Sequence, residues 1–284
     1  MSGSVVQLTD PHVVAPGARY FDIDTAAYLA GAVTFVNAMR PEPDYVVVTG
    51  DLVNGGRPQE YEHFVRIMAA LRLPYVVIPG NHDDRDRLRE TLPAATFCNA
   101  RTPRIRYAYD DYAIRLIGLD VTRPRPWLGA TVDDETLDWL ETTVRAAANR
   151  PTILAVHQPP FRSGLHYLDV FGFRGSRRLR RIVEATPGLG RVICGHIHCV
   201  KSARWGHALA TSGPSTAPQF VPELFERRVF GVRHELPGFA VHQWDAARGF
   251  ATTYFRRGAD GTYAPGYGEV PGVSVTASRA RGMP

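Results

Sequence analysis

Five short apolar runs punctuate the chain, and each stops at a polar residue of one narrow kind. Val5-Val6-Gln7-Leu8 leads through Thr9 to Asp10-Pro11-His12, and Tyr45-Val46-Val47-Val48-Thr49 leads to Gly50-Asp51. Tyr75-Val76-Val77-Ile78 leads to Gly80-Asn81-His82-Asp83, Ile153-Leu154-Ala155-Val156 to His157, and Arg191-Val192-Ile193-Cys194 to Gly195-His196-Ile197-His198. The run at 45–49 lacks polar alternation, as expected of a strand buried on both faces. Helical stretches lie between the runs. Asp24-Thr25 predicts a cap for a helix over 26–39 that Pro41 and Pro43 terminate, and further helices are expected over 59–71 and 84–91. The first half therefore reads as βαβαβ, with right-handed crossovers expected.

The pattern then changes. Segments 105–109 and 112–119, split by Asp110-Asp111, predict a hairpin that adds antiparallel members to the sheet. A helix over 133–148 puts Leu137, Leu140 and Val144 on one face, and a basic helix is expected over 175–186. Beyond Lys201 the chain is mostly β, with strands expected at 205–211, 227–235, 239–244 and 250–256. The expected fold class is α/β, an α+β-type sandwich of two packed mixed β-sheets flanked by helices. A core over 1–201 carries the catalytic loops at one end, where open α/β sheets bind ligands. Residues 202–257 form a β-rich C-terminal part that completes the sandwich and supplies a small cap or dimerisation element. Residues 258–284 form a loosely ordered tail. Phe225, Val229, Phe230 and Leu236 exceed what an isolated hairpin can bury, which favours a homo-oligomer. No repeat of 20 to 50 residues marks a solenoid.

Composition narrows the setting. The chain has 284 residues, 44% apolar and 21% charged, as in ordinary globular proteins. No stretch approaches the roughly 20 apolar residues of a membrane helix, and the N-terminus lacks the pattern of a secretory signal. Cys98, Cys194 and Cys199 make no disulfide framework, so the cytoplasm is the expected compartment. The net charge of +5 is mild, and the arginines of 174–181 have no interleaved aromatics, so that stretch reads as a solvated helix face and no nucleic-acid partner is expected.

Asp10, His12, Asp51, Asn81, His157, His196 and His198 offer only oxygen and nitrogen donors. Such a set suits Mn, Fe or Zn and disfavours a thiolate zinc site. Seven donors are too many for one tetrahedral ion and about right for two ions sharing a carboxylate. Two ions roughly 3.5–4 Å apart can hold a hydroxide, polarise a phosphoryl oxygen and stabilise both partners of an in-line displacement, which is the chemistry of phosphate ester hydrolysis. His82 follows Asn81 directly, points differently, and is the candidate proton donor to the leaving alkoxide.

The ordered series Asp10-x-His12, Gly50-Asp51, Gly80-Asn81-His82-Asp83, His157 and Gly195-His196-x-His198 resembles the calcineurin-like metallophosphoesterase superfamily. Gly80-Asn81-His82-Asp83-Asp84 and His157-Gln158-Pro159-Pro160 are similar to class III cyclic-nucleotide phosphodiesterases and bacterial glycerophosphodiesterases. The resemblance implies one ion held by Asp10, His12, Asp51 and His198 and another by Asp51, Asn81, His157 and His196, with Asp51 as the bridge. It implies hydrolysis of a small-molecule phosphodiester, either a 3′,5′-cyclic nucleotide or a glycerophosphodiester, with His82 as proton donor. Two departures stand out: Thr9 precedes Asp10 where serine is more usual, and Gln158 replaces a frequent second histidine. The alternatives are a phosphomonoesterase or nuclease on the same site, or a metal-binding scaffold without turnover.

Other residues carry less. Cys194 and Cys199 are expected to be core residues, and His63, His207, His234 and His242 structural ones. Asp83 and Asp84 are expected to cap the helix that follows them or to orient His82. Asp120 and Asp169 lie near ends that could face the site. Arg162, His166, Tyr167 and Phe171, with Asn54, Arg19 and Tyr20, are candidates to hold the organic part of a substrate.

Overall fold

The computed structural model describes residues 2–123, 128–220, 232–233, 236–258 and 260–265 of the chain. The first three strands, β1 (Ser2–Leu8), β2 (Tyr45–Thr49) and β3 (Tyr75–Ile78), pair in parallel through α1 (Thr25–Ala38) and α2 (Pro58–Met68), and α3 (Arg85–Thr91) follows them. Every residue of β2 is buried, as its unbroken apolar run requires. Helix starts follow local chemistry. The Asp24 carboxylate accepts from the Ala27 N–H (2.9 Å), Asp84 accepts from Asp86 and Arg87 (both 3.1 Å), and Pro58 occupies the first turn of α2.

The second half begins with β4 (Arg106–Tyr109) and β5 (Arg115–Leu119), antiparallel as expected. A short β6 (Ala130–Thr131), α4 (Asp134–Arg145), β7 (Thr152–Val156), the one-turn α5 (His166–Asp169), β8 (Phe173–Arg174), α6 (Ser176–Glu184) and β9 (Leu189–Cys194) complete it. Helices α4 and α6 bury Leu137, Leu140 and Val144 and Leu179, Ile182 and Val183. Each such side chain contributes about 1.5–3 kcal/mol by leaving water. The basic stretch is not simply solvated, because Arg178 reaches across to Asp134 (3.1 Å), Asp138 and Glu141 (3.4 Å) of α4.

The expected strand over 205–211 is instead a hairpin of β10 (Lys201–Trp205) and β11 (Ala208–Ser212). Gly206 turns the chain at φ +69° and so divides the run into two antiparallel strands. Then follow β12 (Gln219–Phe220), β13 (Val232–Arg233), β14 (Gly238–Asp245), β15 (Gly249–Arg257) and β16 (Tyr263–Pro265).

Two six-stranded mixed sheets result, ordered β16-β15-β14-β1-β2-β3 and β10-β11-β9-β7-β5-β4. The C-terminal strand β14 thus pairs directly with β1, with Val5 opposite His242. The two sheets share a core that includes Val6, Val46, Val48, Ile153, Ala155, Ile193 and Phe239, while α4 and α6 cover the far face of the second sheet. Of the expected loose tail, Tyr263–Pro265 pairs with β15, and 266–284 lie outside the described residues. Trp127, Phe225, Val229, Phe230 and His234 also lie outside them; Leu236 is partly exposed.

Candidate metal centre

The five strand ends meet at one edge of the sandwich. β1, β2 and β3 of one sheet and β7 and β9 of the other end beside each other, and all seven candidate ligands come together, every one at least nine-tenths buried. They fall into two overlapping groups. Donor atoms of Asp10, His12, Asp51 and His198 lie within 4.8 Å of one another, and so do those of Asp51, His157 and His196. Asp51 belongs to both. Its Oδ2 is 3.5 Å from His12 Nε2 and 3.3 Å from His157 Nε2. Asn81 Oδ1 joins the second group at 3.1 Å from His157 Nε2.

The ring orientations are set from behind. The Thr49 carbonyl accepts from His157 Nδ1 (2.8 Å) and the Pro218 carbonyl from His198 Nδ1 (2.7 Å), while Asn54 Oδ1 lies 3.2 Å from His12 Nδ1. Since a carbonyl can only accept, these rings turn their Nε2 lone pairs inward. Phe220 stacks on the His198 ring at 4.0 Å and Tyr20 on His12 at 4.9 Å. His12 Nε2 and His198 Nε2 stand only 3.0 Å apart. A shared proton or a metal ion can satisfy two nitrogens so placed, and with the carboxylates of Asp10 and Asp51 beside them the donor set fits metal ions.

The electrostatics of the metal-free cluster agree. Burial, reinforced by neighbouring rings, drives His12 well below the ordinary histidine range and His196 down to about 3; burial likewise lowers His198, against the pull of Asp10. His157 is the exception. Burial works against its charged form, but Asp51 and then Asp10 outweigh it and push the ring up to about 9. Burial raises Asp10, whereas His157 and His82 overcome burial and hold Asp51 well below the carboxylate range.

The backbone is strained at the same points. Among the described residues, nine non-glycine residues take positive φ, and Asp10, His12, Asp51, His196 and His198 are five of them. Left-handed backbone costs an L-residue roughly 1–2 kcal/mol, so the surrounding structure must overdetermine it. Gly50, at φ +93°, has no such freedom to change: a Cβ there would stand 2.3 Å from His157 Nδ1.

His82 stands beside the ligands, outside both groups. Its N–H donates to Asp51 Oδ1 (2.7 Å), its Nδ1 faces the Asn54 carbonyl (2.8 Å), and its ring meets His12 edge-on at 4.6 Å. Of the two neighbouring aspartates, Asp84 is the helix cap. Partly buried, Asp83 accepts from the N–H groups of Gly80 (2.8 Å), Leu52 (3.1 Å) and Val53 (3.3 Å) and from the Tyr61 hydroxyl (3.1 Å), clamping the Asp51 loop to the Asn81 loop. Burial and then Asp51 push its carboxyl up to about 7.

The remaining candidates divide. Arg162 lines a cavity of about 260 Å³ beside His196, with Gln158, Phe161, Phe173 and Ser176. Tyr167 packs against the small cluster of Leu165, Ile197 and Cys199, and Phe171 is 40% exposed. Arg19 Nη1 donates to the Asp22 carbonyl (3.0 Å). Asp120 is buried against Arg85 and Thr122, and Asp169 accepts from the Ser163 and Gly164 N–H groups (both 2.9 Å). Cys194 and Cys199 are buried core residues. His63 Nδ1 lies 2.9 Å from the Val14 carbonyl, and His242 is buried between Gln7 and Thr252. The clamping role of Asp83 and the supports from Pro218 and Phe220 have no mark in the sequence; the last two follow His198 by about twenty residues with no spacing to flag them.

Comparison with known proteins follows the same lines. The family model described as calcineurin-like phosphoesterase matches residues 3–200. The glycerophosphodiester phosphodiesterase GpdQ of Enterobacter lignolyticus is 35% identical over 227 residues, 78% of this chain and 80% of the relative. The 3′,5′-cyclic adenosine monophosphate phosphodiesterase CpdA of Escherichia coli K12 is 27% identical over 262 residues, 92% of each. Among solved structures, a dimetal phosphatase from Danio rerio has the same fold at a TM-score of 0.61 and 12% identity, covering 84% of this chain and 92% of that one.

Proposed function

This chain belongs to the calcineurin-like phosphoesterase family, and we propose that it is a two-metal hydrolase of small phosphodiesters, either glycerophosphodiesters or 3′,5′-cyclic nucleotides. The observation that carries the reading is the place of Asp51, whose Oδ2 lies within 3.5 Å of His12 Nε2 and 3.3 Å of His157 Nε2 and so is available to both donor groups. One ion is assigned to Asp10, His12, Asp51 and His198, the other to Asp51, Asn81, His157 and His196. Manganese, iron and zinc all suit these donors. Bound there, the ions supply Lewis-acid activation of water and of the phosphoryl oxygen.

The chain's own groups do the rest. Hydrolysis adds water across one P–O bond, so the departing alkoxide needs a proton. His82 is assigned that transfer: the Asn54 carbonyl accepts its Nδ1–H, which leaves Nε2 as the nitrogen that gives up and regains the proton. The cavity beside His196 is assigned to the organic part of the diester, with Gln158 and Arg162 on its wall.

A cytoplasmic, homo-oligomeric protein belongs to the same proposal. Its three cysteines make no disulfide framework, and no described helix is long and apolar enough to cross a membrane. The oligomer rests on the apolar side chains in the sequence between 220 and 239 and is tested by light scattering. The activity is tested with metal-free protein reloaded with manganese, iron or zinc and offered bis(p-nitrophenyl) phosphate, p-nitrophenyl phosphate, glycerophosphoethanolamine and 3′,5′-cyclic AMP. The proposal requires preference for diesters; preference for the monoester refutes it in favour of a phosphatase, and no turnover with any metal leaves a scaffold.

A further inference from the structure

A line of polar side chains runs through the interior of the sandwich, where packing of the same shape without polar atoms would serve stability as well. His242, Gln7, Thr49 and Thr9 are all fully buried. His242 Nε2 lies 3.0 Å from Gln7 Oε1, Gln7 Nε2 lies 2.9 Å from Thr49 Oγ1, Thr49 Oγ1 lies 2.7 Å from Thr9 Oγ1, and Thr9 Oγ1 lies 2.7 Å from Asp10 Oδ2.

The polarity of this line is fixed by chemistry. Gln7 Nε2 also lies 2.9 Å from the Cys194 carbonyl, which can only accept, so the amide nitrogen must sit on that side. Gln7 Oε1 therefore faces His242 and accepts from Nε2–H, and His242 Nδ1 takes its bond from the Thr252 hydroxyl (2.9 Å). Thr49, already an acceptor from Gln7, has its single hydroxyl proton left for Thr9. Thr9 has its own left for Asp10. All the protons in the line point towards one carboxylate oxygen.

The other oxygen of Asp10 is treated differently. Oδ1 is the one that approaches His198 Nε2 (3.5 Å) and His157 Nε2 (4.0 Å), and both oxygens receive the His196 N–H at 2.9 and 3.1 Å. No slack remains behind Oδ2. A Cβ on Gly195 would stand 2.1 Å from Thr9 Oγ1 and 2.5 Å from Asp10 Oδ2.

We infer that the Gln7–Thr49–Thr9 line is a positioning device for the metal centre: it holds Oδ2 of Asp10 by a one-way series of donors, so that Oδ1 alone is presented to the ion shared with His12, Asp51 and His198. The inference rests on the two-ion reading above. Thr9, Thr49 and Gln7 are positioning residues that touch no ion themselves. Outer partners of metal ligands typically change affinity by about 10–100-fold when removed.

The test is binding of Mn²⁺ to the metal-free protein, followed by calorimetry and electron paramagnetic resonance, with thermal unfolding of the metal-free protein measured in parallel. Thr49→Val keeps the shape and removes the hydroxyl two bonds from Asp10. It should weaken one of the two Mn²⁺ ions by about 10-fold or more and leave the other within about twofold, and Thr9→Val should weaken the same ion at least as much. Thr49→Ser, which restores the hydroxyl, should bind both ions like the wild type. If Thr49→Val and Thr9→Val fold and bind both ions as tightly as the wild type, whatever their unfolding temperatures, the inference is wrong while the two-ion reading stands. If the wild type itself takes up fewer than two ions, both fall together.

Discussion

Removing the His82 side chain separates proton transfer from metal binding. The contact that His82 makes with the candidate bridge is through its backbone, N–H to Asp51 Oδ1 at 2.7 Å, so His82→Ala leaves it in place. The ring faces the Asn54 carbonyl, lies edge-on to His12 at 4.6 Å and belongs to neither donor group, so its loss should loosen His12 slightly without removing a ligand. Metal content should therefore stay near the wild-type value. Positioned general acids contribute about 10²–10⁴-fold, which is roughly 3–5 kcal/mol of barrier. That whole loss should appear in kcat for glycerophosphoethanolamine, whose leaving alkoxide is strongly basic. For bis(p-nitrophenyl) phosphate, whose leaving phenolate is stable without a proton, the loss should be at least about tenfold smaller. The assay is kcat for both substrates alongside metal analysis of the same samples. Equal losses on the two substrates, or loss of metal in step with activity, would refute the assignment.

Two further predictions follow from the interior. Burial, with Arg191 adding to it, drives His242 down to about 3, against an unfolded value near 6.5, so its neutral form is favoured by folding. Stability is then complete above about pH 6.5 and falls as the pH drops towards 3; between pH 7 and pH 5 this group alone should cost about 2 kcal/mol. Urea unfolding of metal-free wild type and His242→Gln at both pH values checks it, and an identical loss in the two proteins counts against it. Gly50→Ala places a methyl 2.3 Å from His157 Nδ1 at a backbone φ of +93°, and should destabilise the protein by about 1–3 kcal/mol and displace His157 from the Thr49 carbonyl. Calorimetry that finds this variant as stable as the wild type would show that the loop can yield there.

Much of this molecule was legible because the signals were local. A strand that is buried on both faces has no room for polar residues, so the abrupt change from Val48-Thr49 to Gly50-Asp51 marks both the end of β2 and the start of a functional loop. The same logic located the ends of β3, β7 and β9 to within a residue or two. Where a single glycine decides, as at Gly206, the run reads as one strand although the chain turns there into a hairpin. The donor groups could be gathered because histidine, aspartate and asparagine at strand ends are chemically conspicuous. The supports behind them could not, because Pro218 and Thr49 act through carbonyls that every residue has and Phe220 acts through the face of its ring. Asp83 carried a visible carboxylate, but nothing in its neighbours showed that three backbone N–H groups from two loops would converge on it. The left-handed backbone at Asp10, His12, Asp51, His196 and His198 is a tertiary property and leaves no mark in residue order.

If Asp51 serves two ions at once, its loss should empty both positions, and metal stoichiometry reads this out. Metal-free wild type, Asp51→Ala and Asn81→Ala are each equilibrated with Mn²⁺, freed of excess metal and analysed by plasma mass spectrometry. Two ions per chain are expected in the wild type, one in Asn81→Ala and none retained in Asp51→Ala. A folded Asp51→Ala protein that keeps one ion or both would contradict it.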